Sequence, residues 1–593
     1  MEVLNKSQPQ QTIRFAIPRA ETKKSVADLI VEHLVSEGVD KVFGMPGGAT
    51  IPFHVSLERS AGIEFVLTRH EGGAAFMADC YARTSGKIGV CCATTGPGAT
   101  NLITGVAAAY VDSIPMLVIT GMNSIETWGR GDFQESSPYT GVDTTQIFRS
   151  ICKSSEVVVS EKNVQFRLRN ALATALSGRP GPVHLAIPRN LWNKQVSPEL
   201  WDRARYLSHS PTASHEDIVR VLELLKTAKR PLILYGSGAS DMAASKLCEI
   251  GEMLHAPVIT TPRAKGKRMP RITASLLGSM GISSTPVVDQ LFNDNSFDVV
   301  LTVGAGFGSY ATNSWNNALC PADGTMIQVN IDPCAIGRIY PADIGITADG
   351  DKFSDSLLSE AKAASQGISL ERKNWLSKYG QQEKWPFPAP SAHESEAGPS
   401  PVEIIRAVDQ VAGEQSIVMA DSNSILLWAT HHLPERAGRR FISVWGSASM
   451  GHVTAGAVGA KLANPNHDVI AMVGDGCFLM NGNEIATAAD LKLPIVWIVN
   501  ANQQLGMIHY ELRSGTETRS ATLDNYDLAG FARSLGAYGI RYRPGQDLAE
   551  IIREGLRLDG PTLIQVDVDP MLTPPMGMKK EGSRQWQDYI NSL

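Results

Sequence analysis

Short apolar runs alternate with glycine-containing turns and helical segments along most of this chain of 593 residues. The clearest case is the run 469–473, whose uninterrupted apolar residues are typical of a strand buried on both faces. It ends at Gly474-Asp475-Gly476, residues 483–491 have helical character, and a second apolar run covers 495–499. This order predicts a strand–helix–strand unit with a right-handed crossover, and therefore two parallel, neighbouring strands.

Two polar side chains follow the ends of these strands. Asp475 and Asn502 come directly after the carboxyl ends, at the edge where open α/β sheets bind ligands. A carboxylate and an amide oxygen, with glycines that let the backbone approach, suit an Mg²⁺ ion that holds a diphosphate. The alternative is an ordinary turn between a strand and a helix, because Gly-Asp-Gly alone is a common sequence. These residues by themselves leave both interpretations open.

The same order of features occurs earlier in the chain. The run 88–94 is followed by a Gly96-Pro97-Gly98 turn, a helical segment and a strand at 115–120. The first glycine and the proline that precedes the next strand are 19 positions apart here and 20 apart in the later unit. We therefore predict two related α/β halves. The first half lacks the aspartate between its glycines and should bind something other than a diphosphate.

The middle third also alternates strands and helices and looks like a Rossmann-type domain. Its glycine turns, Gly236-Ser237-Gly238 and Gly304-Ala305-Gly306, are too short to establish a nucleotide site, and they also suit structural turns. We predict an α/β fold of three doubly wound parallel-sheet domains. The predicted boundaries are a flexible tail at 1–22, domains at 23–195 and 214–370, a linker at 371–401 and a last domain at 402–593.

Composition agrees with a multidomain globular protein: 43% of residues are hydrophobic and 19% are charged. The net charge is −6 and the chain has no basic stripe, so we expect no nucleic-acid partner. Eight cysteines without CxxC pairs suggest thiols in a reducing compartment, with Cys91 and Cys92 in the core. No apolar stretch reaches about 20 residues, and the tail lacks the apolar segment of a signal peptide. We expect a cytoplasmic protein without a membrane span.

The sequence motifs follow one another in the order of a known family. The chain resembles the acetolactate synthase branch of the thiamine-diphosphate (ThDP) enzymes, over nearly its whole length. The resemblance implies a pyrimidine-binding first domain, a central domain and a diphosphate-binding last domain. It also implies a cofactor between the first domain of one subunit and the third of another, hence a homodimer or homotetramer. The motifs are Gly-Met-Pro-Gly-Gly-Ala at 44–49, Arg-His-Glu at 69–71, Gly-Pro-Gly-Ala-Thr-Asn at 96–101, Asp-Phe-Gln-Glu at 132–135, Ser-Met-Gly at 449–451, Gly-Asp-Gly at 474–476 and Leu-Gly-Met-Ile at 505–508.

On the diphosphate side, the resemblance implies that Asp475, Asn502 and the backbone carbonyl of Gln504 bind Mg²⁺. It implies that Ala448 offers a carbonyl to the cofactor and that Met450 is the apolar wedge that bends the cofactor. By composition alone, such a methionine would be core filler. The other cofactor contacts implied are Asn423, Ser424, Gly474, Gly476, Cys477, Gly506 and Met507.

On the pyrimidine side, Glu71 matches the family glutamate that bonds N1′ of the pyrimidine. A carboxyl group there shifts the 4′-amino group to its imino form, which can act as an internal base. By composition alone, Arg-His-Glu at a strand end would be a surface cluster. His70 either relays protons or orients the loop. The resemblance also implies catalytic positions at Gly48 and Gln134, and a substrate pocket lined by Met45, His70, Phe133, Gln134 and Glu511.

Two departures from the family pattern bear on the substrate and on FAD. Acetolactate synthases carry a tryptophan where this chain has Glu511, which would repel a carboxylate acceptor and suit an aldehyde or a cationic one. They also carry Ala-Arg-Phe-Asp-Asp-Arg where residues 305–310 read Ala-Gly-Phe-Gly-Ser-Tyr, without either arginine. We therefore expect FAD to be absent.

The resemblance implies a ThDP- and Mg²⁺-dependent carboligase. It would decarboxylate a 2-oxo acid, such as pyruvate, and add the acyl-anion equivalent to a carbonyl acceptor. The run 261–266, Thr-Pro-Arg-Ala-Lys-Gly, favours an alternative, an acyltransferase or C–C lyase similar to sulfoacetaldehyde acetyltransferase. A third possibility is an inactive, cofactor-binding paralogue that acts as a regulatory subunit. Retention of Glu71, Asp475 and Asn502 argues against it.

Overall fold

Three six-stranded parallel sheets, each flanked by helices, form the protein and confirm the predicted α/β fold class. The computed structural model describes residues 23–207, 209–294, 297–321, 323–363, 370–388, 398–512 and 519–575, apart from the side chains of 511 and 512. The predicted N-terminal tail, residues 1–22, lies outside the described residues.

The first sheet has the strand order β3-β2-β4-β5-β7-β6. Its central strands read as unbroken apolar runs because helices cover both faces, and Cys91 and Cys92 are fully buried, as predicted. The strands are β2 (Lys41–Gly44), β3 (Glu64–Leu67), β4 (Gly89–Ala93), β5 (Met116–Met122), β6 (Ser154–Val157) and β7 (Pro182–Pro188), with β1 (Lys24–Ser25) paired antiparallel to β8 (Gln195–Val196). The helices are α1 (Val26–Ser36), α2 (Ile51–Arg59), α3 (Glu71–Ser85), α4 (Pro97–Asn101), α5 (Ile103–Asp112), α6 (Thr144–Arg149) and α7 (Val164–Leu176).

The central sheet has the order β11-β10-β9-β12-β13-β14, which is the Rossmann order predicted for the middle third. Part of the predicted linker at 371–401 is helical, because Trp375 and Tyr379 of α12 pack into the central core. The strands are β9 (Pro231–Tyr235), β10 (Val258–Thr260), β11 (Leu276–Ser279), β12 (Val299–Val303), β13 (Thr325–Asn330) and β14 (Ile344–Thr347). The helices are α8 (His215–Thr227), α9 (Asp241–Met253), α10 (Pro286–Asp294), α11 (Gly350–Ala363) and α12 (Leu370–Gly380).

The third sheet has the order β16-β15-β17-β18-β20-β19, and so repeats the topology of the first. The prediction of two related halves therefore agrees with the strand order, and β17 and β18 are parallel neighbours as predicted. The strands are β15 (Ser416–Ala420), β16 (Arg440–Ser443), β17 (Asp468–Gly474), β18 (Ile495–Ala501), β19 (Tyr538–Arg541) and β20 (Thr562–Asp567). The helices are α13 (Pro401–Val411), α14 (Ser424–His432), α15 (His452–Ala463), α16 (Asp475–Asn481), α17 (Ile485–Asp490), α18 (Gly506–Leu512), α19 (Leu528–Ser534) and α20 (Leu548–Arg557).

Both glycine-containing turns differ from the prediction, since each one begins a helix. Helix α16 begins at Asp475, eight residues before the predicted start at 483, and a 3₁₀ turn at Gly482–Glu484 separates it from α17. Helix α4 begins at Pro97, after Gly96 at a φ of +58°. Proline suits the first helical position because its missing N–H has no helical partner there. The turn interpretation missed this because glycine and proline also mark helix starts.

Helices α3 and α15 join the first domain to the third. They approach closely because α15 carries glycines: a Cβ atom on Gly459 would lie 2.0 Å from the Met77 carbonyl oxygen. His452 Nε2 lies 2.8 Å from Asp79 Oδ1, and Arg83 bonds both Asp79 and Asp112. The Asp79, Cys80 and His452 ligand atoms lie within 4.8 Å of one another. Such a cluster could hold a metal ion. Because the Asp79 carboxylate already binds Arg83 and His452, we interpret the group as a buried ion network and not as a metal site.

The junction of the central and third domains contains a buried lysine. Lys265 is 2% exposed, and its Nζ donates to the carbonyls of Ala429, at 3.2 Å, and Thr430, at the carboxyl end of α14. Burial lowers the pKa of Lys265 and raises the pKa of nearby Glu435. The two groups therefore depend on each other to stay charged.

We expect Lys265→Met to reduce the free energy of unfolding by about 1–3 kcal/mol, because the carbonyls of Ala429 and Thr430 would lose their buried donor. Chemical denaturation of the variant and of the wild type measures this difference. Lys162→Met, at a surface 3₁₀ turn, is the control and should change stability by under about 0.5 kcal/mol. A loss below about 1 kcal/mol for Lys265→Met would contradict the assigned role of this ammonium group.

Candidate active site

A pocket opens at the carboxyl edge of the third sheet, past the ends of β15, β17 and β18. It brings together the residues predicted on the diphosphate side, except Ala448. Four further lining residues, Ser422, Asn500, Leu505 and Ile508, were not predicted. The predicted residues in the lining are Asn423, Ser424, Met450, Gly474, Asp475, Gly476, Cys477, Asn502, Gln504, Gly506 and Met507.

Asp475 is the first residue of α16 and is 5% exposed. Its Oδ1 accepts the Gly476 N–H at 2.8 Å, and its Oδ2 accepts the Gln503 N–H at 2.7 Å. Burial raises the pKa of Asp475 to about 6. Within the described residues, Asp475 forms no salt bridge. A buried carboxyl group in this setting suits a bound cation, which would keep it ionised.

Three amide side chains lie at the carboxyl end of strand β18: Asn500 belongs to the strand, and Asn502 and Gln504 follow it. Asn502 and Gln504 are each 5% exposed, and Gln504 Nε2 donates to the Pro570 carbonyl at 2.7 Å. This bond ties the Gln504 side chain down, so that its backbone carbonyl is the better candidate ligand. Asn500 Oδ1 is buried without a hydrogen-bond partner among the described residues. The two-residue period of the strand, which places Asn500 and Asn502 on one side, is the signal that could have found Asn500.

Glycines in the lining leave no room for side chains. A Cβ atom on Gly506 would lie 2.8 Å from Asn502 Nδ2, and one on Gly474 would lie 3.0 Å from Asn423 Cγ. A Cβ atom on Gly476 would lie 3.1 Å from Met450 Cε. The pocket therefore presents backbone beside a carboxylate, amides and the apolar side chains of Met450, Leu505, Met507 and Ile508. The polar part of this surface suits a diphosphate and its metal ion.

Ala448 lies outside the pocket lining, in the exposed loop between β16 and α15. It has a φ of +50°, in the left-handed region, and Gly451 in the same loop has a φ of +79°. An alanine in this region is strained by its Cβ atom, whereas glycine is not. The loop positions the half-buried Met450 against Gly476.

We expect Ala448→Gly to raise the free energy of unfolding by about 0.5–1 kcal/mol, because the strain relieved exceeds the extra chain entropy of glycine. Chemical denaturation measures the change. The control is Ala173→Gly within α7, which should lower stability by about 1 kcal/mol. Equal losses for both variants would show that the left-handed conformation is not strained.

Glu71 begins α3 at the carboxyl edge of the first sheet and is half-buried. Its Oε2 accepts a hydrogen bond from Asn101 Nδ2 at 2.9 Å, which orients the carboxyl group. His70 is exposed and caps the helix, with its Nδ1 accepting the Gly72 N–H at 3.0 Å. This contact favours the second of the two roles considered for His70, that of orienting the loop.

The other first-domain candidates lie on the same edge. Met45 is half-buried after β2, and Gly48 is exposed. The Gln134 carbonyl accepts the Thr95 hydroxyl at 3.2 Å, and Phe133 is 82% exposed.

The chain does not bring its two sets of candidates into one pocket. Among the residues that the structure describes, only third-domain residues line the pocket, and Glu71, Gln134 and the other first-domain candidates lie outside it. The side chain of Glu511 lies outside the described residues. Two half-sites are therefore present on one chain, each at the carboxyl edge of its own sheet.

The central glycine turns pack against each other. The Gly236 N–H donates to the Val303 carbonyl at 2.9 Å, and the Gly238 N–H donates to the Gly304 carbonyl at 3.0 Å. These N–H groups are therefore engaged within the protein, which favours structural turns over a nucleotide site.

His432, at the end of α14, has a structural contact of its own: its Nδ1 lies 2.8 Å from the Pro386 carbonyl oxygen.

Comparison with known proteins assigns all three domains. Family models match residues 24–142 (thiamine pyrophosphate enzyme, N-terminal TPP binding domain), 218–357 (central domain) and 421–566 (C-terminal TPP binding domain). Within the described residues, no helix has the length and apolar character needed to cross a membrane.

Curated relatives are similar over almost the full length. A probable acetolactate synthase large subunit of Methanocaldococcus jannaschii is 31% identical over 93% of each chain. That of Methanococcus aeolicus is 30% identical over 92% of each chain. Acetolactate synthase isozyme 3 large subunit of Escherichia coli is 31% identical over 92% of this chain and 94% of its own length.

Proposed function

This chain belongs to the thiamine pyrophosphate enzyme family, on the acetolactate synthase branch, and we propose that it is a ThDP- and Mg²⁺-dependent carboligase. It decarboxylates a 2-oxo acid, with pyruvate as the first candidate, and transfers the acyl-anion equivalent to a carbonyl acceptor. The observation that carries the proposal is the meeting of Asp475 and Asn502 in one glycine-lined pocket at the carboxyl edge of the third sheet.

The pocket fits a diphosphate and its metal ion. The buried Asp475 carboxyl group has no salt-bridge partner within the described residues, and Asn500 Oδ1 lacks a hydrogen bond there. Asp475, Asn502 and the Gln504 carbonyl would hold Mg²⁺, which usually takes few protein oxygens and completes its shell with phosphate and water. The diphosphate would lie against the remaining lining residues, namely Asn423, Ser424, Gly474, Gly476, Cys477, Gly506 and Met507.

ThDP, when bound, supplies the nucleophilic carbon and the electron sink that decarboxylation requires. Glu71 would hold a proton at N1′ of the pyrimidine, with its carboxyl group oriented by Asn101. Met450 would be the apolar wedge against which the cofactor bends. Met450, Leu505 and Met507 would exclude water from the reacting carbons, which favours loss of the charged carboxylate as CO₂.

The active site is proposed to form between two subunits, in a homodimer or homotetramer. Glu71, Gly48, Gln134, Met45 and Phe133 would reach the cofactor held by the third domain of another copy. Supporting this, no first-domain residue lines the pocket in the described part of one chain. Sedimentation analysis should find no stable monomer at working concentrations, and an active monomer would contradict the arrangement.

Glu511 favours an aldehyde or a cationic acceptor over a second 2-oxo acid, and the missing arginines of run 305–310 favour an enzyme without FAD. The acyltransferase or lyase alternative was suggested by the run 261–266. Arg263 bonds Ser237 at 2.9 Å and pairs with Asp112, and Lys265 caps α14, so these residues serve domain contacts. No observation on the described residues favours that alternative, or the inactive paralogue, over the carboligase.

A donor–acceptor screen read by mass spectrometry tests the proposal. Wild-type protein with ThDP and Mg²⁺ should release CO₂ from a 2-oxo acid and form a new C–C bond with an added carbonyl acceptor. An acyl phosphate or a cleaved product would favour the alternative, and no turnover with any donor would reject the carboligase. The purified protein should lack the visible absorbance of a flavin.

A further inference from the structure

Glu484 is fully buried at the contact between the first and third domains, in the 3₁₀ turn between α16 and α17. Its carboxyl group binds the backbone of the other domain. Oε1 accepts the N–H groups of Arg69 and His70 at 3.1 and 2.9 Å, and Oε2 also lies 3.1 Å from the Arg69 nitrogen. The Thr487 hydroxyl donates to Oε2 at 2.8 Å. All of these partners are donors, which suits an ionised acceptor.

The first domain is shaped to receive this carboxyl group. A Cβ atom on Gly73 would lie 2.3 Å from Glu484 Oε1, so a side chain there would displace it. The Arg69 guanidinium also pairs with Asp490 of the third domain. The backbone at Arg69 and His70 is therefore held from outside its own domain.

The residue that follows this backbone is Glu71. His70 caps α3 and Glu71 is its first residue, so the path of the chain at 69–70 sets where the Glu71 side chain begins. Glu484 is nine positions after Asp475, at the end of the segment that starts in the pocket. One short segment thus contacts both candidate half-sites of the chain.

We propose that Glu484 is a positioning residue for catalysis: it fixes the backbone that enters α3 and thereby directs Glu71. Without its oxygens, the buried N–H groups of Arg69 and His70 would lose their acceptor, and the segment would shift to find another. A shift of about 1 Å at a catalytic group can cost about 100-fold in rate. The proposal rests on the role proposed above for Glu71.

The experiment must separate positioning from simple contact between domains, and Arg440 offers a matched control. It binds the opposite end of α3, where its Nη1 donates to the carbonyls of Arg83 and Thr84 at 3.1 and 3.3 Å. Its Nη2 pairs with Asp241 at 2.7 Å. Arg440→Ala therefore weakens interdomain contacts of the same helix without touching residues 69–71.

Glu484→Gln keeps the size of the side chain but turns one acceptor into a donor that faces other donors. In the ThDP- and Mg²⁺-loaded enzyme, we expect kcat to fall about 10–100-fold. The KM for the donor and the equilibrium affinity for ThDP, followed by tryptophan fluorescence, should change less than about threefold. Arg440→Ala should keep kcat within about twofold of wild type, even if its thermal midpoint falls by as much as that of Glu484→Gln. Unchanged kcat in Glu484→Gln, or equal kcat losses in both variants, would overturn the proposal.

Hydrogen–deuterium exchange gives a second readout that does not depend on turnover. Exchange at the amides of residues 69–72 should be faster in Glu484→Gln, and unchanged in Arg440→Ala. Thr487→Val, which removes one donor, is the milder variant if Glu484→Gln does not fold, and should show a smaller change of the same kind. Unchanged exchange at 69–72 in both Glu484→Gln and Thr487→Val would overturn the proposal. A wild type without ThDP-dependent turnover would instead reject the proposed function, while exchange would still report the contact.

Discussion

Asp475→Asn should abolish Mg²⁺-dependent binding of ThDP, with a loss of affinity of at least about 100-fold, or about 2.7 kcal/mol. The reason is that Asp475 is the only carboxylate among the described residues that line the pocket, so that its replacement leaves the metal ion with neutral oxygens alone. Isothermal titration of the variant and of the wild type with ThDP, both in the presence of Mg²⁺, measures the loss. In the wild type, removal of Mg²⁺ with a chelator should reproduce it.

The fold itself should survive this substitution. In the metal-free protein, burial raises the pKa of Asp475 to about 6, so replacing the carboxyl group removes a desolvation cost. This gain opposes the loss of one of the two N–H contacts, from Gly476 or Gln503, so the thermal midpoint should change little. Asp468→Asn, at the exposed start of β17, is the control and should bind ThDP normally. Binding of ThDP by Asp475→Asn within about threefold of wild type would remove Asp475 from the metal site.

Glu71→Gln should lower kcat by about 10²–10⁴-fold and leave ThDP affinity within a few fold of wild type. Glutamine keeps the shape and the contact with Asn101, but it cannot hold a transferable proton at the pyrimidine nitrogen. Steady-state kinetics with saturating ThDP and Mg²⁺, together with the binding titration, separate the two effects.

The control for this variant is Glu64→Gln, at the start of β3, where the carboxylate pairs with Lys41 on the surface. It should change kcat by less than about twofold. Near-normal turnover of Glu71→Gln would reject the assigned role of Glu71. A matching loss of ThDP affinity would show that the carboxyl group serves binding rather than proton transfer.

The sequence predicted the elements around the pocket well, because strands buried on both faces must be continuously apolar. Strands β17 and β18, their parallel pairing, and the meeting of Asp475 with Asn502 all follow from that pattern. The start of α16 was missed because a glycine pair that ends a strand can also begin a helix at once. Asn500 was missed because it ends an apolar strand.

Long-range contacts could not be predicted in the same way. Glu484 binds the backbone of Arg69, which is 415 positions away, and neither residue carries a periodic signal for the other. The same holds for Lys265 and the end of α14, where a buried ammonium serves two carbonyls of another domain. Such contacts depend on how the folded domains pack against each other, and only the three-dimensional structure reveals them.

Helices α3 and α15 hold equivalent places in their sheets, since each connects the second strand of its domain to the third. They pack directly on each other, so the first and third domains meet as two copies of one unit would meet around a twofold axis. A dimer of one smaller unit, joined into a single polypeptide by gene duplication and fusion, would leave the two copies in this arrangement. The two units now differ at this turn, where one has Asp475 between its glycines and the other has Pro97.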